Sequence, residues 1–283
     1  MTPTGAATSD DQIDPAVNTL ATTSGADVVL VTGASSGIGL ELARVFAAEG
    51  ARLVLVGRDE TRLQEAAATL PAPAGAPHLP IAIDLARPDA VRDLLARVEG
   101  EGLTIETLVN NAGFGVYGPF VEADLDRELE LLRTNVMAVT ELTARVLPGM
   151  VDRGRGRILN TASTLSFMPS PRMAVYGASK AFVLSFTEAL AHEVEGSGVT
   201  VTALCPGPTK TRFAERSDAK RARVFRFGAA GKPAPVARAA HDGLMRGDRI
   251  VVPGLSNRLT VFSVRLTPRR LLTRVVAFIQ APA

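Results

Sequence analysis

The sequence predicts an α/β fold built on one doubly wound parallel sheet. Three observations carry that prediction: short continuous apolar runs, helical patterns alternating with them, and a glycine-rich turn where the first run meets the first helix. Continuous apolar runs suit strands buried on both faces, because a strand with one wet face alternates polar and apolar residues. Regular strand–helix alternation argues for right-handed crossovers and helices on both sides of the sheet.

Taken in order, the predicted strands are residues 28–31, 53–56, 80–83, 107–109, 157–159, 199–204 and 250–252. Between them, residues 40–48 repeat apolar side chains at Leu42, Val45 and Phe46, residues 128–146 do so over a longer stretch, and residues 181–194 set Leu184, Ala191 and Val194 along one side. These are the helical periods. The Pro- and Ala-rich residues 71–77 read as a helix-to-strand connection inside that alternation. No internal repeat is present. The economical reading is a single Rossmann-like domain over residues 26–255. A tail over residues 1–25, rich in Thr, Ala, Ser and Asp, is expected to be flexible, and residues 256–283 form a basic amphipathic extension.

Composition narrows the class. At 283 residues the chain is near the upper end of what one core organises. With 46% hydrophobic and 21% charged residues it is an ordinary globular sequence, not a disordered one. The 31 basic against 29 acidic residues leave a net charge of +2, too small for a dedicated nucleic-acid binder. The single cysteine, Cys205, excludes an intrachain disulfide framework. His78, His192 and His241 lack ligand-like spacing, so no metal is expected. No apolar run reaches the length of a membrane span, and the first 25 residues lack the basic start and apolar run of a signal peptide. A cytoplasmic enzyme is the expectation.

The glycine-rich turn runs Thr32-Gly33-Ala34-Ser35-Ser36-Gly37-Ile38-Gly39. Glycines let the backbone turn sharply and approach a pyrophosphate, and the following helix N-terminus offers free N–H groups and a positive dipole end. The second strand ends at Gly57, where an acid would select an unphosphorylated adenosine ribose; Arg58 follows at once. A guanidinium suits a 2′-phosphate, with the Ser35 hydroxyl as a second contact, so NADP(H) is favoured over NAD(H). Asp84, with Leu85 beside it, ends the third strand, where a carboxylate can accept from adenine or cap the next helix.

Only two tyrosines exist, Tyr117 and Tyr176. Tyr176 and Lys180 are four apart, on one helix face, so the ammonium can approach the phenol and lower its pKa. With Gly33, Gly37 and Gly39, the run Asn110-Asn111-Ala112-Gly113, Asn135, Ser163, Tyr176-x-x-x-Lys180 and Pro206-Gly207 in this order, the chain resembles the short-chain dehydrogenase/reductase family over roughly residues 27–254. That resemblance implies a strand order of 3-2-1-4-5-6-7 and a homodimer or homotetramer. It implies Tyr176 as acid/base, Lys180 lowering its pKa and holding the nicotinamide ribose, Ser163 orienting the reacting oxygen, and Asn135 holding a relay water. It further implies cofactor contacts from Asn111, Ala112, Gly113, Pro206, Gly207, Thr209 and Thr211, besides the loop residues above.

Substrate choice is expected from loops beyond the carboxyl ends of the strands. Phe114, Tyr117, Phe167, Met168 and Phe213 there form an apolar set suited to a small hydrophobic carbonyl or alcohol. The basic run after Gly207, including Arg216, Lys220, Arg221 and Arg226, reads as a solvated lid. In the extension, Pro268 divides two amphipathic pieces that carry Arg258, Arg265, Arg269, Arg270 and Arg274. Peripheral contact with an anionic membrane is one reading; packing on a neighbouring subunit or over the substrate entrance is the preferred one. The expected function is an NADP(H)-dependent oxidoreductase. The alternatives are a nucleotide-sensing protein without turnover, and an epimerase or dehydratase.

Overall fold

The computed structural model describes residues 27–213, 217, 223 and 230–282; the expected N-terminal tail and most of the basic run after Glu215 lie outside them. Seven parallel strands form one sheet in the order β3-β2-β1-β4-β5-β6-β7. They are β1 (Val28–Thr32), β2 (Arg52–Gly57), β3 (Leu79–Ala82), β4 (Ile105–Asn110), β5 (Gly156–Thr161), β6 (Val199–Leu204) and β7 (Ile250–Val251). Nine α-helices connect and follow them: α1 (Gly37–Ala48), α2 (Glu60–Thr69), α3 (Ala90–Gly100), α4 (Leu125–Leu132), α5 (Ala138–Asp152), α6 (Ala174–Glu193), α7 (Pro233–Arg246), α8 (Leu255–Leu266) and α9 (Arg269–Ile279), counted among the described residues.

Strand alternation builds two cores from one sheet. In β1, Val29 and Val31 face α1, α2 and α7 and pack with Leu42, Phe46, Leu63 and Leu244. Val28 and Leu30 face the other way, onto Leu94, Leu142 and Met150 of α3 and α5. Leu30, Leu55 and Leu108 are fully buried, and truncating any of them to Ala should cost about 2–5 kcal/mol. Helix starts follow local chemistry: Asp59 accepts from the Arg62 N–H at the head of α2, and Asp124 from the Arg127 N–H at the head of α4.

Several bounds differ from the sequence expectation for physical reasons. β3 begins one residue early and includes Pro80; as an edge strand it tolerates a residue without an N–H. The helix expected over 128–146 is α4 and α5 joined by a π-helical turn, Arg133–Met137, which carries Asn135. The helix that Tyr176 is expected to open starts two residues before it, at Ala174, so Tyr176 lies in its first turn. α7 has no counterpart in the sequence expectation; it starts at Pro233 and ends at Gly247, whose φ of +74° is the left-handed cap a glycine supplies. His78 is structural: one ring nitrogen accepts from the Leu53 N–H, the other meets the Pro71 carbonyl, and burial lowers its pKa. Among the described residues no helix is long and apolar enough to cross a membrane.

Strand order also sets where a ligand can sit. The chain runs outward from β1 to β3, then returns to place β4 on the other side of β1. Neighbouring connections therefore leave on opposite faces, and a crevice opens beyond the carboxyl ends of β1 and β4.

Candidate functional site

A cavity of about 460 Å³ occupies that crevice and is lined by Gly33, Ser35, Ser36, Gly37 and Ile38 at one end. Gly33 and Gly37 have φ of +68° and +61°, a conformation that glycine adopts without strain. Ser36 precedes α1 without a side-chain capping bond, and the first turn of α1 holds no acidic residue. The helix thus presents its free N–H groups and positive dipole end to the cavity, the arrangement an anion needs. Gly39 lies behind the wall instead: a Cβ there would fall 2.4 Å from the Gly33 carbonyl oxygen and the Asn111 amide nitrogen. Its part is to let α1 pack against the turn.

Thr32 ties this loop to the end of β4. Its hydroxyl donates to the Val109 carbonyl and accepts from the N–H groups of Asn111 and Ala112, both at 2.9 Å. The Asn111 amide donates back to the Thr32 carbonyl at 3.0 Å. Asn110 donates to Asn160 and Thr143 within the sheet. Asn111, Ala112 and Gly113 line the cavity.

Gly57, Arg58, Asp84 and Leu85 line it further along. Arg58 is not free: its guanidinium donates to Glu130 at 3.2 Å, and Arg127 binds the other oxygen of the same carboxylate. The Asp84 carboxylate accepts from the Ala86 N–H at 3.0 Å in a tight turn. Because α3 starts at Ala90, Asp84 does not cap it.

Ser163, Tyr176 and Lys180 meet on the cavity wall. β5 delivers Ser163, which caps the 3₁₀ turn Thr164–Phe167 and accepts from the Leu165 N–H at 3.1 Å. Its hydroxyl acts on the Tyr176 phenol in the direction that lowers the phenol's pKa. Lys180 donates to the Thr161 carbonyl at 2.7 Å, and its Nζ lies 6.0 Å from the Tyr176 ring centre. Asn135 is fully buried behind this wall. Its Oδ1 accepts from the Phe114 N–H, and its Nδ2 donates to the Phe114 carbonyl and to Ser179. A Cβ on Gly113 would sit 2.9 Å from Asn135 Oδ1 and 3.4 Å from Lys180 Nζ, so the two polar groups face the same point.

Burial dominates the electrostatics here. It pushes the Tyr176 phenol up to about 12, against the lowering effect of the Ser163 hydrogen bond. It pulls the Lys180 ammonium down to about 8. The net shift of the Tyr176 phenol is upward, set by desolvation of the phenolate, where the resemblance implies a lowering by Lys180. Burial likewise pushes the Cys205 thiol up to about 12, which keeps it an inert filler.

Two expected pocket residues are elsewhere. Phe167 turns away and packs with Val183, Leu184 and Val252. Tyr117 lies outside the lining and donates to the Gln280 carbonyl at 2.5 Å. Phe114, Met168 and Phe213 do line the cavity, and Phe213 lies 5.1 Å from Tyr176 between ring centres. Pro206, Gly207, Thr209 and Thr211 also line the cavity. The sequence left open whether Met173 lines the pocket or only packs, and it lines it. Packing of the extension over the substrate entrance was one expectation, and Val276 and Ile279 do line the cavity, but Asn257, Thr260 and Gln280 were not singled out. Asn257 rests on the Gly207 backbone, where a Cβ would lie 2.3 Å from its Oδ1. The amphipathic period of 256–283 was the available signal; which face turns inward was not.

Residues 27–222 match the family described as short chain dehydrogenase. A short chain dehydrogenase of Pseudocercospora fijiensis is 37% identical over 192 residues, which are 67% of this chain and 62% of that relative, so the match spans less than two thirds of its length. Among solved structures, a short-chain dehydrogenase from Sphingobium yanoikuyae in complex with NADPH has a TM-score of 0.75 at 34% identity, over 85% of this chain and 93% of that one. A short chain dehydrogenase/reductase from Burkholderia phymatum in complex with NAD has a TM-score of 0.74 at 30% identity, over 84% and 92%. Fold, sheet order and sequence agree: this chain belongs to the short-chain dehydrogenase/reductase family of oxidoreductases.

Proposed function

We propose that the protein interconverts an alcohol and a ketone or aldehyde with NADP(H), using Tyr176 as acid/base. The observation that carries this reading is the convergence of Ser163, Tyr176 and Lys180 on one cavity whose far end is the uncapped N-terminus of α1. The residues present suit a dinucleotide: the α1 N-terminus and the Gly33–Gly37 turn would hold its phosphates, and Lys180 its nicotinamide ribose. When bound, the nicotinamide supplies or accepts the hydride.

The chain's own groups handle the proton. Tyr176, a phenol at neutral pH whose pKa burial raises further, donates to the carbonyl oxygen during reduction and takes a proton back during oxidation. Ser163 orients that oxygen. Lys180 spends one of its three donors on Thr161 and keeps the others for ribose. Asn135 positions the Phe114 loop, and its Oδ1, facing the same point as Lys180, supports a water link for proton resupply. Phe114, Met168, Met173, Phe213, Val276 and Ile279 support a hydrophobic substrate.

The NADP(H) preference rests on Gly57, which carries no carboxylate, and on Arg58 and Ser35 in the lining. Solved relatives hold NADPH in one case and NAD in another, so likeness to them does not choose between the two, and the reading rests on these residues. A homo-oligomer belongs to the same reading, supported by the stacked Phe182 and Phe186 rings on α6, with Phe182 41% exposed. The decisive experiment follows NADPH absorbance across a panel of hydrophobic ketones and aldehydes. Net oxidation with at least one carbonyl is expected. Tight nucleotide binding with no consumption across the panel would favour a sensor, or an epimerase or dehydratase that recycles its cofactor.

A further inference from the structure

We propose that the outer faces of α8 and α9 dock on an anionic lipid surface, setting the mouth of the cavity against the bilayer. The inner faces already have a role, since Asn257, Thr260, Val276 and Ile279 line the cavity. The outer faces stay largely open to solvent. On α8, Leu255, Leu259, Phe262 and Leu266 recur at helical spacing and are 59–73% exposed. On α9, Leu271, Val275 and Phe278 repeat the pattern at 44–68% exposure. Four-three spacing puts each set on one stripe of its helix, opposite or beside the buried Val261, Leu272 and Val276.

Charge identifies the occupant. Residues 250–283 contain five arginines, Arg258, Arg265, Arg269, Arg270 and Arg274, and no aspartate or glutamate. All five arginines are exposed. Arg223, whose guanidinium lies 4.6 Å over the Phe278 ring, adds a further cation to the same end of α9. A second copy of this chain seated on the same face would bring arginine against arginine, with no carboxylate in either segment to offset the repulsion. A bilayer with anionic headgroups satisfies both features at once. The leucines and phenylalanines enter the acyl boundary while the guanidinium groups, on long stems, meet phosphates. Each such arginine near an anionic surface strengthens binding about fivefold. An apolar substrate would then reach the cavity from the lipid without crossing water.

The test is co-sedimentation of the full chain with vesicles of phosphatidylcholine alone and of phosphatidylcholine mixed with phosphatidylglycerol, at low and high NaCl. Binding to the anionic vesicles is expected to exceed that to neutral ones at least tenfold and to weaken steeply with salt. The double variant Phe262→Glu, Leu266→Glu should lose that binding at least tenfold. The pair Arg265→Gln, Arg270→Gln should lose it about 25-fold on the same fivefold basis, and serves if the first variant fails to fold. Sedimentation coefficient and NADPH oxidation in vesicle-free buffer should be unchanged in both. No pelleting with anionic vesicles, or equal pelleting with neutral ones, overturns the proposal. So does a shift of the Phe262, Leu266 variant to a smaller oligomer, which assigns the face to a second copy. Vesicle binding requires no turnover, so its failure and the failure of the proposed activity are separately visible.

Discussion

Tyr117 donates its phenol hydrogen to the Gln280 carbonyl at 2.5 Å, joining two points 163 residues apart. The bond fastens the end of α9 to the loop after β4, and so makes the C-terminal extension part of the cavity wall rather than an appendage. A partly buried hydrogen bond of this kind is worth about 0.5–1.5 kcal/mol. Tyr117→Phe keeps the ring and removes the bond, so α9 should fray. The expected result is a rise of a few-fold in KM for the carbonyl with the NADPH Kd unchanged, because Tyr117 does not touch the cavity. Hydrogen exchange across residues 269–280 should speed up in parallel; unchanged exchange and KM would remove the tether from the account.

On the proposed reading, cofactor choice would turn on how Arg58 is shared. Its guanidinium is held by Glu130 at 3.2 Å in a half-exposed pair, and a 2′-phosphate would compete with that carboxylate. Arg58→Ala should weaken NADP(H) by about tenfold or more, the cost of one hydrogen bond to a charged group, and NAD(H) by less than twofold. Glu130→Gln should act in the opposite direction, tightening NADP(H) up to about fivefold, since exposed pairs are worth about 1 kcal/mol at most. Titration of both nucleotides by fluorescence checks the pair. Equal weakening of the two cofactors in Arg58→Ala would defeat the assignment.

Thr32 bears on stability and binding together. Its one hydroxyl accepts from the Asn111 and Ala112 N–H groups and donates to Val109, in a spot that is 1% exposed. Thr32→Val keeps the shape and strands both N–H groups. Urea unfolding should show a loss of about 1–3 kcal/mol, and NADPH binding should weaken because the β4 loop loses its register against the phosphate turn. Wild-type stability in the valine variant would mean the loop holds without this bridge.

Where sequence reasoning succeeded, the signal was local or ordered along the chain. The Gly33–Gly39 turn and the Tyr176–Lys180 pair are short-range spacings that a strand–helix junction and a helix face translate directly into place. It failed where tertiary contacts choose a side chain's direction. Phe167 and Met168 are neighbours, yet the 3₁₀ turn sends one to the Val183 cluster and the other to the cavity. The π turn at Asn135 was invisible because one extra residue does not break the apolar period of the helix around it. The break at Pro268 was legible, but apolar residues lie on both faces of α8 and α9, so periodicity could not say which face covers the site. Placing a cation beside Tyr176 from spacing alone left out burial, which raises the phenol's pKa.

That burial makes the mechanism testable by direction and pH. With the Tyr176 phenol pushed up to about 12, the group is a proton donor throughout the neutral range and a base only in strong alkali. Carbonyl reduction should therefore not lose its acid near neutrality. Alcohol oxidation needs the phenolate, so its rate should climb about tenfold per pH unit below that pKa. Lys180 loses its charge as pH rises through about 8, and a reduction limb there should follow it through weaker cofactor binding. In Lys180→Ala that limb should vanish and cofactor affinity should be low at every pH. Ser163→Ala removes the hydroxyl that favours phenolate, so oxidation should slow further while NADPH binding holds. Tyr176→Phe removes the donor but not the ring packed on Phe213. Turnover should fall by roughly 10²–10⁴-fold, the usual worth of a general acid, with the NADPH Kd preserved. Near wild-type carbonyl reduction by Tyr176→Phe would place the proton donor elsewhere and remove the centre of the proposed mechanism.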